Sequence, residues 1–225
     1  MKAVVLRQFG GPEALVCEEV TTPTPGPGEV LVKIACCGVC HLDLILRKGM
    51  RSRVLPPRII GHELAGEVVS WGSGVSGFAE GDRVASFNFQ ACGQCEDCRR
   101  GRPSLCRQTD GDIGQTRDGG YAEFAALKAT NLVRIPEGMP ADHACFGACV
   151  YAPPYKAIRQ VGNIGPGQWV VITGASGGLG IAAIQIVKAL GGRSIAITST
   201  DSKEERLKEI GADHVVVSPD GAWVA

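Results

Sequence analysis

The 225-residue sequence has no apolar run approaching the ~20 residues that a membrane-crossing helix needs, which argues against an integral membrane protein. It has no excess of either charge. Its 23 Lys and Arg balance 23 Asp and Glu, so nothing electrostatic points to nucleic acid or an anionic membrane as a partner. It shows no leader pattern: the apolar stretch in Met1-Lys2-Ala3-Val4-Val5-Leu6-Arg7 is too short for a signal peptide and reads as a first strand. Internal repeats and low-complexity tracts are also missing. What remains is a chain that is 44% hydrophobic, long enough for one large domain or two small ones, each with its own core.

Cysteine breaks this plainness. Ten cysteines in an exported chain would suggest disulfides. Without an export signal, and with four of them in a tight metal-ligand spacing, they read as thiolates kept reduced in a cytoplasmic protein and bound to metal.

Proline and glycine divide the first part of the chain. Pro23-Thr24-Pro25-Gly26-Pro27-Gly28 is a rigid connector, and Glu29 to Ile34 alternates as a strand. Leu64 to Val69 and Arg83 to Phe87 read as further strands, with turns at Gly72, Gly74, Gly77 and Gly81. Residues 1–135 are therefore expected to form a partly closed β-barrel with long functional loops. From 136 to 225 the composition shifts. Pro153 and Pro154 break any long helix after Ala141. An α/β rhythm follows: a buried strand at Trp169 to Thr173, an apolar helix at Gly180 to Leu190, and a strand at Ser194 to Thr198. A polar helix at Ser202 to Ile210, capped by Gly211, leads to a strand beginning at His214. That is one mononucleotide-binding half of a doubly wound fold. Either the sequence is a fragment or a partner completes the sheet.

The sharpest motif is Cys92-x2-Cys95-x2-Cys98-x7-Cys106. Four thiolates at such spacing form a closed tetrahedral shell around zinc, a structural site that pins a loop with little core of its own. Arg99, Arg100, Arg102 and Arg107 surround it and can offset its two net negative charges. A second constellation is dispersed. Cys40, His62 and Cys149 would supply two thiolates and an imidazole, with a fourth position open for water or substrate, the arrangement of a catalytic zinc. Spacing alone does not join them; taken singly, each also fits an ordinary structural His or core Cys.

Gly61-His62-Glu63-x2-Gly66-x5-Gly72-x2-Val75 resembles the zinc alcohol dehydrogenase signature. Gly38-Val39-Cys40-His41-x-Asp43, Gly81-Asp82-Arg83-Val84, Gly119-Gly120-Tyr121-Ala122-Glu123-Phe124 and the four-cysteine lobe are similar to the same family, within the medium-chain dehydrogenase/reductase superfamily. The resemblance runs from about residue 2 to 217 and implies a mixed α+β and α/β chain. Its parts would be an N-terminal GroES-like, partly open β-barrel carrying a zinc lobe at 92–106, then an incomplete Rossmann doubly wound parallel sheet. It implies that Cys40, His62 and Cys149 hold a catalytic zinc, with Glu63 as an occasional ligand and Asp43 orienting the imidazole. Such a zinc polarises a carbonyl or stabilises an alkoxide while hydride passes to or from a nicotinamide cofactor. Two positions depart from the family. The hydroxyl usually found two residues after the first zinc Cys is replaced by Leu42, and the His that continues the proton relay is Ile45. Either His41 or a water chain substitutes, or the substrate is a conjugated double bond or quinone.

Gly174-Ala175-Ser176-Gly177-Gly178-Leu179-Gly180 lies between a predicted strand and helix, the context in which a glycine-rich loop binds pyrophosphate. Gly174 helps the turn, because Ala175 stands where the fingerprint has its first Gly. The end of the next strand distinguishes NAD from NADP. Thr198 occupies the slot of the ribose-binding acid, followed by Ser199 and, nearby, Lys203, which favours NADP; Asp201 keeps NAD open. The expected reaction couples NADP or NAD to a small-molecule alcohol–aldehyde or ketone pair. An NADPH-dependent enoyl or quinone reductase and a non-catalytic nucleotide-binding fragment are the alternatives. The resemblance further implies a homo-oligomer at full length.

Overall fold

The structure, a computed structural model, describes residues 1–50, 54–109 and 111–221. They divide into two compact units, residues 1–148 and 149–225. The first contains β1 (Lys2–Leu6), β2 (Leu15–Glu19), β3 (Glu29–Gly38), α1 (His41–Arg47), β4 (Arg58–Ile59), β5 (Glu63–Trp71), β6 (Arg83–Ser86), α2 (Glu96–Arg99), β7 (Phe124–Lys128), β8 (Leu132–Arg134) and α3 (Ala141–Ala144). Five strands form an antiparallel sheet in the order β7-β3-β5-β6-β8, and β2-β1-β4 form a second sheet. Alternation along β3 turns Val30 and Val32 into a core with Leu64, Val68, Val84, Ile113 and Leu127. Each such fully buried aliphatic side chain contributes on the order of 1.5–3 kcal/mol.

One pairing positions the chemistry. β3 and β5 run antiparallel with Gly38 opposite Glu63, so the residues that leave β3 and those that enter β5 emerge at the same end of the sheet. Register shifts between Leu31 and Val32 and between Ile34 and Cys36 interrupt the ladder of β3, as β-bulges do. A second core packs there, where Leu6, Leu46 and Ile60 meet Leu42 and Tyr121.

The second unit contains α4 (Ala152–Tyr155), β9 (Trp169–Ile172), α5 (Gly178–Ala189), β10 (Arg193–Thr198), α6 (Glu204–Ile210) and β11 (His214–Val217). The three strands are parallel in the order β11-β10-β9. Ala183, Ile184 and Val187 of α5 pack with Ile172, Ala196 and Leu207. The strands and helices expected here are all present, with two differences. Pro153 and Pro154 confine α4 to four residues, yet the helical path does not end there: π-helical stretches carry it on both sides, Gly147–Tyr151 before and Lys156–Val161 after. β9 was expected to be buried, yet Trp169 and Val171 are 44% and 49% exposed. Among the described residues it pairs only with β10, and a strand with one edge unpaired buries little beyond Ile172. Among the described residues no helix is long and apolar enough to cross a membrane.

Candidate functional site

Cys40 follows β3 in extended conformation and caps α1, and its amide donates to Asp43 Oδ2 at 2.9 Å. Asp43, in the first turn of α1, is 3% exposed. Its other oxygen, Oδ1, lies 3.2 Å from Nδ1 of His62, which is wholly buried. The Tyr121 hydroxyl donates to Oδ2 at 2.8 Å. Burial alone would raise the Asp43 pKa. The hydrogen bond to the imidazole and its charge, followed by the Cys40 amide and the Tyr121 hydroxyl, outweigh it and hold the carboxyl below its ordinary range. With Nδ1 facing Asp43, Nε2 is the imidazole's outward donor.

Glu63, the first residue of β5, is 2% exposed, and any side chain at Gly38 would collide with its carboxylate. Ligand atoms of Cys40, His62 and Glu63 lie within 4.8 Å of one another. This is a buried sulfur, nitrogen and oxygen donor set, fitted to zinc-like ions more than to magnesium or calcium. His41 is exposed at the start of α1. Leu42 packs into the Leu6–Ile60 cluster, and Ile45 is half-buried in the same helix. Cys149 is half-buried in the π-helical turn Gly147–Tyr151, as the first residue of the second unit.

In the cysteine lobe, Cys95 Sγ stands 3.5 Å from Cys98 Sγ and 3.8 Å from Cys106 Sγ, and Cys92 Sγ is 3.9 Å from Cys98 Sγ. The four ligand atoms lie within 4.8 Å of one another. Backbone amides of Gln94 and Cys95 point at Cys92 and bring its pKa down to about 6, so that thiol is readily a thiolate. The arginines do less than expected to balance this charge. Arg100 pairs with Glu96 at 2.8 Å and Arg102 with Asp97 at 3.0 Å.

In the second unit, Gly177 caps α5 and the amides that follow it open the helix. Gly180 faces the loop backbone so closely that a β-carbon there would sit 2.5 Å from the Gly174 oxygen and 2.6 Å from the Ala175 Cα. Gly174 has φ 60°, and the Ala175 amide donates to Ile197 O at 3.1 Å, tying the loop to β10. Gly178 and Leu179 form the first turn of α5. Thr198 ends β10 with its side chain buried, while Ser199 and Lys203 are exposed beside it.

Sequence reasoning gave Tyr121 no role, since its acceptor lies 78 residues away and its motif carries no spacing signal. It also left Cys37 and Cys145 unassigned. Cys145 is buried and Cys37 half-buried, both near Glu63, and desolvation pushes each thiol up to about 12, which suits packing and not nucleophilic work. A groove of about 590 Å3 in the first unit, walled by Arg7, Glu18, Arg58, Arg117 and Asp118, includes none of the donor residues.

Residues 26–137 match the family model of the alcohol dehydrogenase GroES-like domain. The acryloyl-coenzyme A reductase of Sulfurisphaera tokodaii is 38% identical over 96% of this chain and 64% of its own length. An alcohol dehydrogenase of Geobacillus stearothermophilus is 40% identical over 96% of this chain and 63% of its own. The solved structure of a cobalt- and zinc-bound thermostable alcohol dehydrogenase from Pyrobaculum aerophilum superposes with a TM-score of 0.89 at 36% identity, covering 96% of this chain and 65% of that one. The chain thus spans just under two thirds of the relatives it matches.

Proposed function

We propose that this chain, which belongs to the zinc-containing alcohol dehydrogenase family of the medium-chain dehydrogenase/reductase superfamily, provides the metal centre and the opening half of the nucleotide site of an oxidoreductase. The enzyme moves hydride between NADP or NAD and an alcohol–aldehyde or ketone pair. The observation that carries this reading is the buried Asp43–His62 contact beside Cys40 and Glu63. A carboxylate at one nitrogen of an imidazole that lies beside a thiol is the second-layer arrangement of a metal ligand.

In this reading residues 1–135 are the GroES-like catalytic domain and 136–225 the first half of the nucleotide-binding domain. Cys40, His62 and Cys149 are the ligands, with Glu63 in reserve. α3 packs against β3 and β5, and Cys145, which caps it, shares a buried cluster with Ala65 and Ala144. Zinc bound there would supply Lewis-acid polarisation of a carbonyl oxygen. Asp43 keeps His62 in one tautomer. Leu42 and Ile45 carry no proton, so a proton leaves by His41 or by water. A nicotinamide dinucleotide supplies or takes the hydride. Gly177, Gly178, Leu179 and Gly180 would hold its pyrophosphate at the α5 amides; Thr198, Ser199 and Lys203 flank its adenosine ribose. The lobe at Cys92, Cys95, Cys98 and Cys106 holds a structural zinc. Cytoplasmic residence belongs to the same proposal, supported by the metal-ligand spacing of Cys92, Cys95, Cys98 and Cys106. So does homo-oligomerisation of the full-length protein, which size-exclusion chromatography would read.

The missing relay hydroxyl favours a second reading, NADPH-dependent reduction of a conjugated enoyl substrate, for which the similarity to an acryloyl-coenzyme A reductase is further support. One assay separates the two. Loss of NADPH absorbance is followed with simple ketones and aldehydes and, in parallel, with an α,β-unsaturated thioester, alongside zinc per chain by elemental analysis. Two zincs with carbonyl turnover are expected. Turnover of the thioester alone selects the second reading. Nucleotide binding without any turnover would reduce the proposal to a binding module.

A further inference from the structure

Tyr121 occupies a position that the proposed chemistry does not use but its geometry requires. Its backbone is fixed on both sides: its amide donates to Ile60 O at 3.0 Å, and its carbonyl accepts from the Val4 amide at 2.7 Å. Its ring packs against the Leu6–Ile60 cluster and against the Val5–Ile59 cluster. The ring also covers Gly61, where a β-carbon would lie 2.5 Å from Tyr121 Cδ1, so the ring and the backbone φ of 93° both favour glycine before His62. From this rigid seat the phenol reaches Asp43 Oδ2 at 2.8 Å, on the opposite side of the carboxylate from the 3.2 Å contact to His62.

We propose that Tyr121 is a positioning residue of the metal centre: its hydroxyl clamps the Asp43 carboxylate, which in turn holds the His62 imidazole with Nε2 aimed at the donor cluster. The inference rests on the metal reading of Cys40, His62 and Cys149. A carboxylate has two oxygens and can rotate about its Cβ–Cγ bond. The Cys40 amide alone, at 2.9 Å, restrains Oδ2 from one direction. The phenol supplies the second restraint, so that Oδ1 stays turned towards the ring. Burial, then the Asp43 charge, raises the Tyr121 pKa above its ordinary value; the hydroxyl therefore keeps its proton and donates at every working pH.

The test loads the full chain with zinc and challenges it with graded chelator, reading zinc retained per chain by elemental analysis. The variants are Tyr121→Phe, Asp43→Asn and the pair together, with His62→Ala identifying which zinc leaves first. Tyr121→Phe keeps the ring that fills the space against Gly61, and thermal melting verifies that the fold is retained. Tyr121→Phe is expected to release one zinc at roughly tenfold lower chelator, the lower end of the ~10–100-fold cost of losing such a partner, while the lobe zinc is unaffected. Asp43→Asn should cost more, and Tyr121→Phe should add nothing to it, because the phenol acts through Asp43. A purely structural tyrosine would give additive losses, which would overturn the proposal, as would unchanged retention in Tyr121→Phe. The unsubstituted protein offers an independent check: proton NMR should show a slowly exchanging Tyr121 hydroxyl proton, and its absence would count equally against the clamp. If the unsubstituted chain binds zinc at the lobe alone, the metal reading itself falls and this inference with it.

Discussion

Two glycines three residues apart in the nucleotide loop should respond to the same methyl group in opposite ways. A β-carbon added at Gly180 would stand 2.5 Å from the Gly174 oxygen, 2.6 Å from the Ala175 Cα and 2.7 Å from the Ala175 carbonyl carbon. All three are backbone atoms of a loop tied to β10 through the Ala175 amide, so nothing flexible can give way. Forcing one extra methyl into a close-packed contact costs ~1–3 kcal/mol. Against this, Ala is favoured over Gly inside a helix by ~1 kcal/mol, and Gly180 lies in the first turn of α5. Three simultaneous backbone clashes put the steric cost in the upper part of that range, about 2–3 kcal/mol, so after the helix gain Gly180→Ala should destabilise by about 1–2 kcal/mol, a drop on the order of 2–8 °C in melting temperature. At Gly177 the nearest atom is the Gly174 oxygen at 3.4 Å, an ordinary contact, and the backbone there, at φ −82° and ψ 166°, suits any residue. Gly177→Ala should melt within a degree or two of the parent, roughly the thermal equivalent of a surface change of ±0.5 kcal/mol. Its methyl instead occupies the approach to the α5 amides, and dinucleotide affinity should fall by about tenfold, ~1.4 kcal/mol. Thermal melts and NADP titrations on both variants check this. A Gly177→Ala variant that binds NADP as well as the parent would refute the placement of pyrophosphate at this turn. An undiminished melting temperature in Gly180→Ala would refute the contact argument.

Further outcomes are expected. Cys106→Ser, at the most buried of the four lobe thiols, should reduce bound zinc from two to one per chain and open the 92–106 loop to proteolysis, read by elemental analysis and limited digestion. Asp82 accepts from the Ala79 amide and from Arg134, each at 2.9 Å, and these hold its pKa below the ordinary value. Its contribution to stability is present above the unfolded carboxylate pKa of ~3.9 and is lost as pH falls through the lower folded value. Asp82→Asn should therefore weaken the protein at neutral pH and flatten its acid unfolding limb; an unchanged acid limb would contradict the pairing. Leu42→Thr restores a hydroxyl at the relay position. It should raise turnover of a simple alcohol by roughly tenfold, short of the ~10²–10⁴-fold of a complete relay because Ile45 still interrupts it. No change with alcohols, combined with activity on an enoyl thioester, would favour the second reading.

The strands and helices were legible because local pattern decides them. The alternation from Glu29 to Ile34, the apolar period of α5 and Gly211 after α6 each act within a few residues. The lobe was legible for the same reason, its four thiols lying within fifteen residues of chain. The openness of β9 was not, because whether Trp169 and Val171 are covered depends on which strands and helices flank the sheet edge, and no property of the strand itself records that. Nor was the continuation of helix past Pro153 and Pro154, which π-helical stretches on both sides accommodate.

The residue types of the metal centre were set in the sequence: a thiol at 40, an imidazole at 62, carboxylates at 43 and 63. Their gathering was decided by the antiparallel pairing that sets Gly38 against Glu63, and by the folding of Tyr121 over Gly61 onto Asp43. A spacing of two or three residues constrains side chains directly through the short backbone between them. A spacing of 22 or 78 residues constrains nothing until hydrophobic burial and strand pairing bring the segments together, and only then do a carboxylate, a phenol and an imidazole share one hydrogen-bonded site.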